Sequence, residues 1–542
     1  DTKFQHILDD FYDFRSREFP EFATFVGHHN YDDALESFTL EAFERRKNET
    51  EKFLGRVKNL DTQQMSKFNQ RERGVLISFL QTFVEGYRWH DYGTLSSINF
   101  LEGLAKGPQW TLYSRLETEQ DFDNYLKRLA AFPQQVSEQI ELMKRAIKLG
   151  SSSHIVSVDY MENTRKQAGV HSLPQGLQYY QACLKWYVGF DITAEEVFEL
   201  GVKEVARIEK KIKEVMSSVG FLGDLKSFFK HIETIPQFYN HTKNQILEKY
   251  RTILEVDILP RLDILFYNLT ISPITVVPVD RDGPWGSYGL SMFYVNLKEP
   301  MKRSTFTMMP LTLHEAYPGH HFQDFYSQHF DIPLYRAQPM NGRLYSVPFH
   351  FPVYSAYAEG WALYSEYLGH ELGLYQDPYE LFGRYVSEIF RACRLVVDTG
   401  IHAFGWSRER AIEFLSGYSD FPLSQIAAEV DRYITAPGQA CSYKVGEMKI
   451  KNIRAKAEKA LGPLFDVKEF HHQILKTGFV PLDVLEEVVD EWVQQKLLSD
   501  SPVTADYFSD LDTPHSGQIL PLVAIVLLLC CLQVSYLTHI LR

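Results

Sequence analysis

From Thr312 to Gln323 the chain reads TLHEAYPGHHFQ, on the apolar lead-in MMPLTL. This stretch restricts the fold more than any other. Pro318 removes a helical hydrogen bond and crowds the preceding turn, and Gly319 opens backbone angles closed to other residues. The pair predicts a two-residue bulge in a helix that carries His314 and Glu315 before it and His320 and His321 after it. A His-Glu pair opening a cluster of histidines is what a zinc hydrolase needs. Neutral imidazoles ligate Zn²⁺, and a carboxylate beside the first ligand can take a proton from activated water.

In the usual H-E-x-x-H spacing both imidazoles share one helix face. Here Pro318 stands where the second histidine would be. A bulge brings His320 to that place. In an unbroken helix His321 would return to the first face at i+7, but about 10.5 Å along the axis, which is long for one ion. His320 is the expected ligand and His321 the alternative. The third ligand is expected in YAEGWALYSE. There Glu359 is a carboxylate among apolar and aromatic neighbours, and such a carboxylate needs a cation, an arginine or a cap. Glu366, seven residues on, is the reserve or a carboxylate supporting a ligand.

Two further stretches read as walls of a site. In FRACRLVVDTGIHAFGW, Arg391, Arg394, Asp398 and His402 form one polar stripe on an otherwise apolar helix. A buried polar network and a solvated, salt-bridged face both fit that pattern. In TAPGQACSYK, Pro437-Gly438 marks a turn into a helix carrying Gln439, Tyr443 and Lys444. The Tyr443 hydroxyl suits an oxyanion. Arg394 or Lys444 suits a substrate carboxylate, with His402 beside them. Asp398, four residues from Arg394, can neutralise one cation. Both cations are expected to face the metal.

Elsewhere helical spacing dominates, near 64–90, 193–218, 243–266, 378–403, 407–417, 422–435 and 481–498. Thr193 and Glu196 have the spacing of a capping box. Residues 271–297 differ: β-branched and aromatic runs around Gly283-Pro-Trp-Gly286 predict two or three short strands. An edge strand there could hold an extended substrate, or the hairpin could only cover the core. The expected fold is mainly α, a large helical body over 1–500, with a small sheet next to the motif helix.

With 70 acidic against 56 basic residues and a net charge of −14, a basic nucleic-acid-binding surface is not expected. Of five cysteines, only Cys393 with Cys441 suggests itself as an internal bridge, and none forms a metal knuckle. Sequons at Asn48, Asn240 and Asn268, a polar spacer at 501–518 and the uncharged run ILPLVAIVLLLCCL within 519–542 suggest a secreted glycoprotein. A terminal apolar tail with a single following basic residue fits a GPI-attachment signal better than a stop-transfer helix. The membrane would then be reached through a lipid on the outer cell face.

HEAYPGHHFQ, YAEGWALYSE, CRLVVDTGIHAFGWSRERAI and APGQACSYKVG, in this order, resemble the family known as domain of unknown function eight-eight-five, over about residues 5–495. That family is similar to helical zinc metallopeptidases of the gluzincin type. The resemblance implies His314, one of His320 and His321, and Glu359 as ligands, with Glu315 as general base. The expected activity is a zinc peptidase acting on short peptides; a metal-dependent amidase and a catalytically silent binding ectodomain are the alternatives.

Overall fold

The helical periodicity is realised as helices that bury their apolar faces. The structure, a computed structural model, describes residues 1–95, 109–157, 164–280, 284–289, 291–337 and 347–499. Helices α1 Thr2–Glu18, α2 Pro20–Phe25, α3 Leu40–Lys58, α4 Lys67–Gly86 and α5 Glu119–Leu149 form the first third. Then come α6 Gly176–Val188, α7 Ala194–Ser218, α8 Leu225–Glu233 and α9 Lys243–Thr252. The C-terminal half holds α10 Met308–Glu315, α11 His320–His329, α12 Leu334–Ala337, α13 Ser355–Leu368 and α14 Pro378–His402. It continues with α15 Arg408–Ser416, α16 Leu423–Thr435, α17 Ser442–Leu461, α18 Val467–Thr477 and α19 Leu482–Ser499.

The capping box before α7 is formed. The Thr193 N–H donates to Glu196 Oε2 at 2.8 Å, and the Glu196 N–H donates to Thr193 Oγ1 at 3.1 Å. The helix expected over 243–266 is not uniform. After α9 it widens into a π turn at Ile253–Ile258 and tightens to a 3₁₀ turn at Leu259–Ile264. Pro260, at the start of the 3₁₀ turn, has no N–H to continue the α ladder.

The core around α14 is apolar, with Phe382, Ile389 and Val397 buried against Ile208, Phe228 and Tyr433. Helix α7 can approach α14 only because residue 201 is glycine: a Cβ there would lie 2.7 Å from Leu395 Cβ. The tightest crossing is between α13 and α17. A Cβ on Gly446 would lie 2.0 Å from the Ala356 carbonyl oxygen, and one on Gly360 2.5 Å from Gly446 carbonyl carbon. Two facing glycines thus fix the helix of Glu359 against the helix of Tyr443, backbone to backbone.

Three short strands stand where the sequence places them: β1 Thr275–Val279, β2 Gly286–Gly289 and β3 Met292–Asn296. Their order is β1-β3-β2, with β1 parallel and β2 antiparallel to β3. Strand β2 is therefore an edge.

The bridge between Cys393 and Cys441 is not formed. Cys183, Cys393 and Cys441 are all buried free thiols. Cys393 sits near Glu209 of α7, whereas Cys441 sits beside Asp398 and Tyr180. The sequon asparagines are exposed. Asn240 and Asn268 stand outside helices, but Asn48 lies within α3, and Thr50 of its sequon is buried with its hydroxyl on Arg46 O at 2.7 Å.

Asp1–Asp490 form one unit and Glu491–Arg542 a second, of which the described part is the end of α19. The spacer at 501–518 and the apolar tail at 519–542 lie outside the described residues. Among the described residues no helix is long and apolar enough to cross a membrane.

Candidate metal centre and its cleft

The interruption at Pro318-Gly319 is a full break between two helices rather than a bulge within one. Helix α10 ends at Glu315, and α11 begins at His320. The break is compact because residue 319 is glycine: a Cβ there would lie 1.8 Å from the His314 carbonyl oxygen. The Trp361 indole N–H donates to Pro318 O at 2.8 Å and pins the break to α13. His320 is thereby brought next to His314, with ring centroids 5.0 Å apart and planes at 88°.

Glu359, from α13, completes the group. Its Oε2 lies 3.5 Å from His314 Nε2 and 3.4 Å from His320 Nε2. One ligand atom from each of the three residues falls within 4.8 Å of the other two. Glu359 Oε2 is buried and accepts no hydrogen bond. A buried carboxylate oxygen without a donor is costly, and a divalent cation between the two imidazoles would satisfy it. Two histidines and one carboxylate are also a donor set that zinc accepts. The residues present fit the group.

His321 takes no part. Its Nε2–H donates to Ser272 O at 2.7 Å, and its Nδ1 lies 3.2 Å from the Tyr288 hydroxyl, so both ring nitrogens face groups outside the cluster. Glu366 backs His314 rather than joining the three-residue group. Its Oε1 accepts from His314 Nδ1–H at 2.9 Å, which leaves the Nε2 lone pair free to ligate. Arg391 Nη2 lies 3.4 Å from the same oxygen.

Without a cation, the cluster shares protons. Burial would lower the His314 imidazolium, but Glu359 and Glu366 outweigh it and hold the group up at about 9. Burial would raise Glu359, but the two histidines hold it well below the usual carboxylate range. Burial pushes the Glu315 carboxyl up, against the pull of His314 and His320, which favours a group that can accept a proton.

The cluster opens onto a cleft of about 900 Å³. Glu315, Tyr443, Arg391 and Arg394 line it, and so does edge strand β2 from Gly286 to Gly289. The Tyr443 ring stacks on His314 at 6.2 Å and 16°. The Arg394 guanidinium lies 4.4 Å from the same ring. Sequence reasoning missed three groups here. Tyr288 of β2 donates to Asp324 Oδ2 at 2.6 Å. Glu429 and Arg432 of α16 pair at 3.0 Å. The Glu-x-x-Arg spacing that joins the latter two is common on any exposed helix, so nothing singled them out.

Residues 20–161 and 154–489 match the family described as "Bacterial protein of unknown function (DUF885)". The chain belongs to this family. Two solved structures share the fold of this DUF885 chain. The crystal structure of the "putative lipoprotein from Colwellia psychrerythraea" is 23% identical, with a TM-score of 0.78, over 91% of this chain and 99% of that one. A "putative lipoprotein of unknown function from Shewanella oneidensis" is 15% identical, with a TM-score of 0.64, over 90% of this chain and 99% of that one. No curated protein matches the chain.

Three expected site residues of the DUF885 chain face elsewhere. Lys444 is buried on the far side of α17, where Nζ lies 2.7 Å from Glu388, 2.6 Å from Glu447 and 3.0 Å from Glu204. Three carboxylates consume its charge, so it is not a substrate cation. His402 is buried with both ring nitrogens used: Nδ1 accepts from the Val170 N–H at 3.2 Å, and Nε2–H donates to Tyr433 O at 2.9 Å. Asp398 does not neutralise Arg394. Its Oδ1 accepts from Tyr180 at 2.6 Å and from the Gly438 N–H at 3.0 Å, holding the turn that leads to Gln439 and Tyr443. Arg394 pairs with Glu429 instead, at 3.1 Å.

Proposed function

We propose that this chain is a zinc-dependent amide hydrolase, a peptidase related in mechanism to the gluzincin type. The observation that carries the reading is the orphaned Glu359 Oε2 between His314 and His320 at the floor of a cleft. His314, His320 and Glu359 would hold the ion, with Glu366 fixing the tautomer of His314. Bound zinc would supply Lewis-acid polarisation of the carbonyl and acidification of water. Glu315 would take a proton from the attacking water and pass it to the leaving nitrogen. A C–O bond forms, the amide C–N bond breaks, and the products are a carboxylate and an amine. Tyr443 donates a hydrogen bond to the oxyanion. Edge strand β2 lines the cleft and could pair with an extended peptide backbone, and the cleft volume suits short peptides.

The test is a digest of short peptides by protein of measured zinc content. We expect one zinc per chain and cleavage abolished by a chelator. Glu315→Gln should keep the zinc and lose turnover by about 10²–10⁴-fold. Tyr443→Phe should lower kcat with little change in KM. Failure to retain zinc when it is offered would sink the reading.

We also propose that the protein works at a membrane surface through a lipid, attached by a GPI signal at 519–542. The lipoprotein descriptions of the two similar structures support lipid attachment, and the uncharged run at 519–532 supports its position. A phosphatidylinositol-specific phospholipase should release the protein from intact cells; retention with the tail epitope intact would refute the GPI form.

A further inference from the structure

The cleft also carries a charge that the proposed hydrolysis does not use. Arg394 and Arg432 share a single carboxylate, with Glu429 Oε2 at 3.1 Å from one and 3.0 Å from the other. Arginine does not deprotonate at working pH, so the Arg394 guanidinium stays charged in the cleft wall. Arg394 Nε donates to the Tyr433 hydroxyl at 3.0 Å and Nη2 to Glu429, but the buried Nη1 has no acceptor. The side chain is only 8% exposed, so water does not freely compensate it. One turn earlier on α14, the buried Nε of Arg391 is likewise without an acceptor.

A planar carboxylate is the ligand that a guanidinium fork matches best, through paired charge-assisted hydrogen bonds. The position is informative. The Tyr443 ring lies 6.2 Å from the His314 ring and 4.4 Å from the Arg394 guanidinium carbon. Extended peptide advances about 3.4 Å per residue, so the span from the metal ligands to Arg394 is at most about three residues. Phe390 flanks the guanidinium at 5.2 Å and packs on Phe421 at 5.1 Å, giving an apolar surface beside the charge.

We propose that Arg394 holds a substrate carboxylate within three residues of the scissile amide, with the adjoining substrate side chain against Phe390 and Phe421. The inference deepens the hydrolase reading and rests on it. The substrates are then short peptides or acyl amino acids ending in an apolar residue with a free carboxylate, and the enzyme trims from that end. A carboxylate on an acidic side chain would offer the same chemistry.

The test is calorimetric binding to the zinc-loaded full chain carrying Glu315→Gln, so that probes are not consumed. N-benzoylglycyl-phenylalanine should bind at least tenfold more tightly than its C-terminal amide. The preference should vanish in Arg394→Gln. In Glu429→Gln, where the competing anion is removed, the acid should bind more tightly, a gain of affinity that a misfolded variant could not produce. An amidated probe ending in glutamate that binds as well as the free acid would support the pocket and assign it to side-chain carboxylates. Equal binding of acid and neutral amide by chain holding one zinc overturns the proposal and leaves the metallohydrolase reading standing. An acid preference that survives Arg394→Gln overturns it too, because the carboxylate is then on the metal. A chain that takes up no zinc overturns the metallohydrolase reading, and the proposal falls with it.

Discussion

Two clusters of buried charge draw side chains from α13 and from α17, and their bookkeeping differs. At the cleft, His314, His320 and Glu359 gather their ligand atoms within 4.8 Å and leave a carboxylate oxygen without a donor. Behind α17, Lys444 meets Glu388, Glu447 and Glu204, while Arg384 at 2.8 Å and Arg207 also reach Glu388. Burial would raise the Glu388 carboxyl, yet Arg384 and Lys444 hold it well below the usual range. In the second cluster Glu388 Oε2 also lacks a hydrogen bond, but the Arg384 guanidinium lies 2.8 Å from it. In the first, the groups nearest Glu359 Oε2 are the imidazoles of His314 and His320, at 3.5 and 3.4 Å. In sequence both are charged residues on apolar helices; only the count of opposite charges within reach separates a site from a strut.

Substitutions that empty the first cluster test the comparison most severely. His314→Ala, His320→Ala and Glu359→Ala should each reduce zinc from one per chain to less than a tenth, with activity lost, because each would remove one of the three proposed protein ligands. His321→Ala should keep its zinc, since both its ring nitrogens face groups outside the cluster. Elemental analysis of chelator-free protein decides this, and a zinc-free His321→Ala with a loaded His320→Ala would reverse the ligand assignment.

In the second cluster the expected effect is on stability. Lys444→Met leaves three carboxylates without their shared cation, a change that costs about 3–5 kcal/mol when a buried pair is broken. Urea unfolding should show the loss, while zinc per folded chain and KM stay at the parent values. A raised KM with unchanged stability would return Lys444 to the substrate site.

The smallest effect sharpens the contrast with a buried acid that has no cation. Burial pushes Asp398 up to about 7 from an ordinary 3.8. The folded state therefore keeps a proton that the unfolded chain gives up between those values. Its stabilising contribution is complete below about pH 4, declines as pH rises and is gone above about pH 7. Asp398→Asn should flatten that decline in the thermal midpoint. An identical pH dependence in the two proteins would show that Asp398 is ionised in the fold.

Much of the site was legible because its chemistry is local in sequence. The Pro318-Gly319 interruption named its own neighbours, and the isolated carboxylates of YAEGWALYSE pointed to Glu359 and Glu366. The bulge became a helix break because Gly319 passes so close to His314 O that the chain must restart its helix. Lys444 and His402 were misplaced for one reason: periodicity tells which residues share a helix face, but not what that face meets. Tyr443 and Lys444 are adjacent, and a rotation of about 100° per residue sends one into the cleft and the other away from it.

The sequence by itself determined the helical class, the short sheet before the motif, the capping of α7 and the residues able to ligate a metal, since these follow from spacing and side-chain chemistry. The tertiary structure alone decided which histidine joins His314, which cation lines the cleft and which carboxylate backs His314. Those outcomes depend on distances between segments far apart in the chain. Here they are set by two glycines, Gly360 and Gly446, that let α13 and α17 touch, and by Glu429, which pairs with Arg394 in the cleft, and Glu388, which draws Lys444 away from it.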